Sequence, residues 1–300
     1  MKTFNEIIPL LLEELKIQIS EKSYKTYKSQ NNRFNEYLKS IGGDTLPISE
    51  ITNEMVGRFF LHLASEHHLD KPTCQKYFIS VRRVWQYANK HGYTDKMPFS
   101  TVIFPKKGKD MSSEVIPPEH SRIILEEIEQ KDPQLYLACL TEYYCFIRPG
   151  KELRLMRVKD IDFVNGIIKV PQERAKNGHA RMVTMPNQLL ELYKKQNIDL
   201  YDKELYVFGK RKKPDSKPCS VNMLRYRFNK YRDKNGFSKG YHLYSWKHVG
   251  ASVLHDSRLV SMRELMEQLG HSKLSATEHY IKKIGTGINT TIRQSFPTPY

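Results

Sequence analysis

The sequence predicts a mainly helical protein of two domains, with a small antiparallel β-sheet in the second. Three observations carry this reading. Apolar residues recur at helical spacing through residues 1–95. A stretch with Pro105, Lys106, Lys107 and Lys109 interrupts the helical pattern near 104–114. Beyond it, short runs of β character appear between further helical segments. At 300 residues the chain is long enough for two cores.

The first helix carries Phe4, Ile7, Ile8, Leu11, Leu12 and Leu15, a period near 3.6. A second begins near Ser23, carries Tyr24, Tyr27, Phe34, Tyr37 and Leu38, and stops at Gly42-Gly43. The third follows Thr52 with Val56, Phe59, Phe60 and Leu63. The fourth opens at Pro72, a favoured first-turn position, and carries Tyr77, Val81, Val84, Trp85 and Ala88 before Gly92. Four short helices with short loops make a small all-α domain, here 1–104. Residues 105–114 read as a linker, and 115–300 as the second domain with a C-terminal tail.

That domain opens with helices over about 118–130 and 133–146, the second capped by Asp132 with Pro133 in its first turn. Segments 160–163 and 167–170 flank Asn165-Gly166, a two-residue hairpin signal. Residues 181–185 (RMVTM) give a third strand after the loop AKNGHA. Further helices are expected near 187–197, 219–234, 244–257, 261–269 and 275–282. Ser261…Glu264 and Ser275…Glu278 have capping-box spacing.

Charge points to the partner. The net charge is +16, and residues 201–300 hold 19 of the 49 Lys+Arg against 8 of the 33 Asp+Glu, an excess of 11. A basic final third fits a polyanion, nucleic acid before an anionic membrane surface. The N-terminal apolar stretch is broken by Glu13 and Glu14, which does not suit a signal peptide, and no apolar run is long enough to span a bilayer. Cys74, Cys139, Cys145 and Cys219 lack metal-ligand spacing; Cys139 and Cys145 sit in an apolar helical run and read as core thiols, and a reducing compartment without disulfides is expected. The expected location is the cytoplasm, on the nucleoid when bound to DNA.

No P-loop, dinucleotide-binding glycine motif, HExxH or CxxC is present, and no carboxylate cluster suits a two-metal nuclease. Chemistry on nucleic-acid phosphates must then neutralise charge with Arg, Lys and His. The segment QLGHSKLSATEHYIKK puts Tyr280 on a short helix beside Lys282 and Lys283, nine residues after His271. A tyrosine can accept a phosphoryl group where cations offset the transition-state charge.

Four fragments in order, FIRPGKELRLMRVKDID (146–162), AKNGHARMVTMP (175–186), YSWKHVGASVL (244–254) and LGH…Y (269–280), resemble the tyrosine recombinase family of phage integrases, chromosome-dimer resolvases and transposon integrases. SYKTYKSQNNRFNEYLKS (23–40) and TCQKYFISVRRVWQYANKHG (73–92) resemble the helices of its N-terminal DNA-clamping (SAM-like, core-binding) domain. The resemblance covers nearly the whole chain. It implies a core-binding domain followed by a recombinase catalytic domain. It also implies site-specific cleavage and rejoining of DNA through a 3′-phosphotyrosyl intermediate on Tyr280.

Arg148 follows a buried helix, where a rigid guanidinium can grip a phosphate with two donors. By resemblance it is the first catalytic arginine; a helix-terminal Arg pairing with Glu142 or Glu152 is the other reading. The family's acidic brace comes three residues after this arginine. Lys151 fills that place here, with Glu152 one later. By resemblance Lys176, on the loop between the second and third strands, protonates the departing 5′ oxygen. The family's His-x-x-Arg is replaced by Tyr244 and Lys247, which keep donors but exchange a planar fork for a point charge. His242 is an alternative donor, and His248 reads as local packing. His271 matches the family's third, phosphate-donating position. Arg225, Arg227, Lys230 and Arg232 cluster within about two turns and suit contacts to the DNA backbone, or a solvated basic face.

The resemblance implies double-stranded recombination sites as partners and a homotetramer on DNA, and it leaves room for accessory DNA-binding proteins. The tail segment 286–296 is a candidate for docking on a neighbouring protomer. A DNA-binding protein of this fold that has lost cleavage is the alternative, served by Tyr244, Lys247 and the shifted Glu152. No cofactor or metal is implied, because the phosphotyrosine conserves the bond energy. Cleavage is therefore expected to proceed in excess EDTA, measured as covalent adduct; an absolute magnesium requirement for the chemical step would sink this mechanism.

Overall fold

The protein is described by a computed structural model covering residues 1–106 and 114–284. Most of the expected linker and the segment 286–296 lie outside these residues. The chain divides into two compact units, Met1–Asp110 and Met111–Tyr300.

The first unit holds α1 (Phe4–Gln18), α2 (Glu21–Ser40), α3 (Asn53–Ser65) and α4 (Lys71–Lys90). Each start is fixed by a polar side chain accepting from the first turn: Thr3, Ser20, Thr52 and Asp70. Thr3 and Glu6 form a full capping box that the apolar pattern did not reveal. The core is aromatic. Phe34 meets both Phe4 and Phe59 edge-to-face at 4.8 Å, with Trp85 fully buried against it.

The second unit begins with α5 (Pro118–Lys131) and α6 (Pro133–Cys145), then β1 (Ile161–Asp162), β2 (Ile167–Val170) and β3 (Arg181–Thr184). The sheet is antiparallel in the order β1-β2-β3. The β1–β2 turn is longer than two residues, because pairing ends at Asp162↔Ile167. The Asp162 carboxylate accepts from the Val164 and Asn165 N–H groups, and Gly166 takes the left-handed conformation that closes the turn.

Five more helices follow: α7 (Asn187–Lys195), α8 (Met223–Lys234), α9 (Ser245–Ser257), α10 (Met262–Leu269) and α11 (Leu274–Ile284). The fourth residue after the expected start, Met223, opens α8, because Cys219 is still held by its backbone to Phe208 and cannot enter the helix. Ser261 and Glu264 form the expected capping box on α10. Ser275 falls inside α11, which starts at Leu274, so it caps nothing.

Two contacts position the site. α9 crosses α6 so closely that a Cβ on Gly250 would lie 1.9 Å from the Tyr143 carbonyl oxygen, and only glycine permits this approach. β3 is an edge strand. The Gln268 amide of α10 donates to the Thr184 carbonyl at 2.7 Å and accepts from the Thr184 N–H at 3.2 Å, so a side chain completes the edge.

Candidate active site

α6 ends at Phe146, which adopts the left-handed conformation at φ 53° while burying its ring. A bulky residue there is strained, which the surrounding packing must hold. The turn sends the chain out of the helix, so that Arg148 is extended. The next five residues, Pro149–Leu153, form a π turn, with the Leu153 N–H donating to the Arg148 carbonyl at 2.9 Å. A π turn holds one residue more than an α turn.

That extra residue settles the brace. The sequence placed the acid one position late, which argued against the usual contact. The π turn absorbs the offset. Buried Glu152 accepts from the Arg148 backbone N–H at 3.1 Å and from Arg148 Nη1 at 2.9 Å. It also takes Arg181 in a two-point grip, with Nη1 at 3.2 Å and Nη2 at 2.7 Å. Burial alone would raise the Glu152 carboxyl. The hydrogen bonds from Arg181 and the charges of both arginines win, and hold it down at about 2.

Arg181 was missed by the sequence reading, although a signal existed. It shares a strand face with buried Val183 two residues on, and an arginine on the inward face of a strand needs a buried partner.

Lys247 lies in the first turn of α9, 1% exposed, and its Nζ donates to the Phe146 carbonyl at 2.9 Å. Burial, then the charge of Arg148, push its ammonium well below the usual lysine range. His271 follows Gly270, whose left-handed backbone ends α10 and whose missing Cβ leaves room for Arg181. Its Nδ1 shares a hydrogen bond with buried Thr277 Oγ1 at 2.9 Å. Burial, then the charges of Lys247, Arg148 and Arg181, lower it to about 4. Tyr280, half-buried on α11, meets the His248 ring at a tilt of 31° with centroids 5.2 Å apart and meets His271 edge-on at 5.7 Å. Its hydroxyl donates to the Lys247 carbonyl at 3.5 Å. Burial, then Tyr244, raise the phenol well above its ordinary range, while Arg148 works the other way. Tyr244 completes the group, 4.9 Å from the His248 ring and under the influence of the Arg148 charge.

Arg148, Tyr244, Lys247, His271 and Tyr280 therefore converge from four separate segments, Tyr244 and Lys247 both coming from the start of α9. Lys176 does not join them: its side chain is exposed. Its loop does reach the site, through Asn177 Nδ2 on the Gly270 carbonyl at 3.3 Å. His242 lines a cavity of about 230 Å³ with Gly150, Arg154 and Arg225, which touches the cluster through Tyr244.

The basic cluster on α8 divides. Arg225 and Lys230 are exposed, but Arg227 and Arg232 are buried. Their spacing from Leu224 and Phe228 turns them inward. Arg227 Nε meets Asp132 at 2.8 Å and its Nη1 meets Gln134 at 2.8 Å, tying α8 to the start of α6. Arg232 Nη1 donates to the Tyr241 carbonyl at 2.9 Å. Both are internal ties, which corrects their assignment to a DNA-contact surface. Arg227→Ala should leave buried Asp132 with Lys212 and the Leu135 N–H as its remaining partners among the described residues, and lower stability by about 3 kcal/mol in urea unfolding. Lys230→Ala should leave stability unchanged and weaken DNA binding with a shallower salt dependence. The opposite pattern would return Arg227 to the DNA surface.

Residues 114–284 match the phage integrase family, and residues 3–107 match the phage integrase SAM-like domain. The chain belongs to the phage integrase family. It is a tyrosine-type site-specific recombinase. A tyrosine recombinase of Thermosipho africanus is 25% identical over 267 residues, covering 87% of this chain and 89% of that one. Lambda integrase, solved as a dimer bound to a COC′ core site, superposes with a TM-score of 0.76 at 17% identity, covering 96% of this chain and 98% of that one. Lambda integrase solved as a tetramer bound to a Holliday junction gives 0.74 at 16%, covering 93% and 77%. No helix among the described residues is long and apolar enough to cross a membrane.

Proposed function

We propose that this phage integrase cleaves duplex DNA at a specific site with Tyr280 as nucleophile, and that Arg148, Arg181, Lys247 and His271 hold the phosphate. The observation that carries the assignment is that Arg148 and Arg181 meet on one carboxylate, Glu152, while His271 lies within reach of the charges of Arg148, Arg181 and Lys247 and the Tyr280 hydroxyl meets the Lys247 carbonyl. A phosphodiester entering the cluster gains charge as the pentavalent state forms, and preorganised donors act on that added charge. In this reading the Thr277 hydroxyl is the donor in its hydrogen bond with His271 Nδ1, so that the ring proton sits on Nε2 for a phosphate oxygen. Neutral His271 acts as a hydrogen-bond donor, and the arginines and Lys247 supply the charge.

Tyr280 displaces the 5′ oxygen and forms a 3′-phosphotyrosyl bond. Lys176, on a loop anchored at Gly270, supplies the proton to the departing oxygen. A 5′ hydroxyl of the partner duplex reverses the step. The working assembly is a homotetramer on two duplexes, residues 105–114 link the two domains, and the protein acts in the cytoplasm. A nicked suicide duplex drawn from the flanks of the coding locus tests this reading. An SDS-stable protein–DNA adduct is the expected product, and its absence from every flank duplex that the protein binds would overturn cleavage.

A further inference from the structure

Lys176 sits outside the catalytic cluster, yet a proton donor must reach the bond that breaks. How its loop is held therefore bears on the chemistry. Residues 175–178 form a tight turn, closed by the Gly178 N–H donating to the Ala175 carbonyl at 3.2 Å, with Gly178 left-handed. Lys176 and Asn177 are its two central residues. Both are tied to the site. The Lys176 backbone N–H meets Glu152 Oε1 at 3.5 Å, the limit of a hydrogen bond. The Asn177 amide donates to the Gly270 carbonyl at 3.3 Å. Gly270 ends α10, where the last carbonyls find no partner within the helix, and His271 is the next residue.

Between this loop and the end of α10 lies a cavity of about 370 Å³, whose walls include Arg148, Asn177, His179, Arg181 and His271. A phosphodiester seated on the two arginines and His271 would enter that space, with the loop as one wall. The Asn177 bond does little for the fold. The residue is exposed, and a neutral hydrogen bond open to water adds little stability. Its effect on geometry is larger, because it joins the neighbour of Lys176 to the neighbour of His271. Gln268 does the same further along at Thr184, so two amide side chains fasten the hairpin to α10.

We propose that Asn177 is a positioning residue: its amide latches the β2–β3 loop to Gly270 and so holds Lys176 beside the 5′ oxygen leaving the phosphate. The proposal rests on the reading of Lys176 as the general acid. As the Tyr280 oxygen bonds to phosphorus, the bond from phosphorus to the 5′ oxygen breaks, and that oxygen takes a proton from Lys176 Nζ. Proton transfer needs hydrogen-bond reach, and a loop released from Gly270 spreads Lys176 over many positions.

The test is single-turnover cleavage of two suicide duplexes, one ordinary and one with sulfur replacing the bridging 5′ oxygen at the mapped cleavage position. A thiolate leaves without a proton, so the sulfur duplex needs no general acid. The proteins compared are the parent, Asn177→Ala, Lys176→Ala and the double variant. Asn177→Ala should keep the parent's urea midpoint and DNA affinity. It should slow the ordinary duplex about tenfold and cleave the sulfur duplex within about twofold of the parent. Lys176→Ala should lose about 10²-fold on the ordinary duplex and little on the other. The double variant should match Lys176→Ala, since Asn177 acts only through that lysine. Equal slowing of both duplexes by Asn177→Ala would mark a merely structural contact, and an unslowed ordinary duplex would remove the latch; either result overturns the proposal. A variant that loses its fold slows both duplexes alike, so the ratio of the two rates still decides. If Lys176→Ala loses equally on both duplexes, the general-acid reading itself fails and takes the latch with it, which is a different failure.

Discussion

Tyr280→Phe is expected to bind the suicide duplex with the parent's affinity and to form no SDS-stable adduct at all. The substitution removes one oxygen. That oxygen makes a 3.5 Å hydrogen bond to the Lys247 carbonyl, at the weak limit of such contacts, so its loss should cost the fold less than about 1 kcal/mol. The ring keeps its contacts with His248 and His271, so α11 should stay in place. Only the nucleophile is gone. The raised phenol means that Tyr280 is protonated in the resting site; on the proposed path its proton passes to water as the oxygen attacks, while the cations around the phosphate offset the new charge. One rival nucleophile sits in the same cluster. If Tyr280→Phe still forms an adduct and Tyr244→Phe does not, the roles of the two tyrosines are exchanged.

Glu152→Ala should remove both stability and activity. Among the described residues the carboxylate is the one anion in direct contact with both Arg148 and Arg181, and its side chain is 1% exposed. Deleting it leaves two half-buried guanidinium groups without their shared carboxylate. Breaking a buried pair in this way costs about 3–5 kcal/mol, readable as a lower urea midpoint. Cleavage should fall by roughly 10²–10³-fold, because Arg148 would no longer be held in one orientation. Glu152→Gln preserves the volume and some hydrogen bonds, and should lose less in both assays.

The sign of the pH dependence follows from the depressed carboxyl. The unfolded chain binds the proton near 4.5 and the folded one near 2. The stabilisation from Glu152 is thus fully present above about pH 4.5 and is lost as the pH falls toward 2. Urea unfolding at pH 7 and pH 3 should show the parent losing more stability on acidification than Glu152→Gln does. Equal losses would mean that Glu152 is not the carboxylate that titrates.

Much of this could be read from residues in order. The helices of the first unit follow from apolar spacing and from Thr52 and Pro72 near helix starts, because those signals are local. Arg148, Tyr244, Lys247, His271 and Tyr280 could be picked out one at a time, each by its fragment. Their roles came from the resemblance, since a lone tyrosine or lysine carries no such information. Other features were illegible for identifiable reasons. The sequence counts residues and not turns, so Glu152 seemed misplaced until the π turn absorbed the extra residue. Four cations on α8 looked alike, and burial separated Arg227 and Arg232 from Arg225 and Lys230.

By itself, then, the sequence determined the helical framework, the order of the catalytic fragments and the family. Each depends on patterns a few residues long. Only the tertiary structure decided which charges face which. Arg181 reaches Glu152 across 29 residues of chain, and Lys247 reaches the Phe146 carbonyl across 101. Such pairings are set by how closely α9 crosses α6 at Gly250 and by where Gln268 ties α10 to β3. A charge is strong or weak according to its burial and its neighbours, and both are properties of the folded chain.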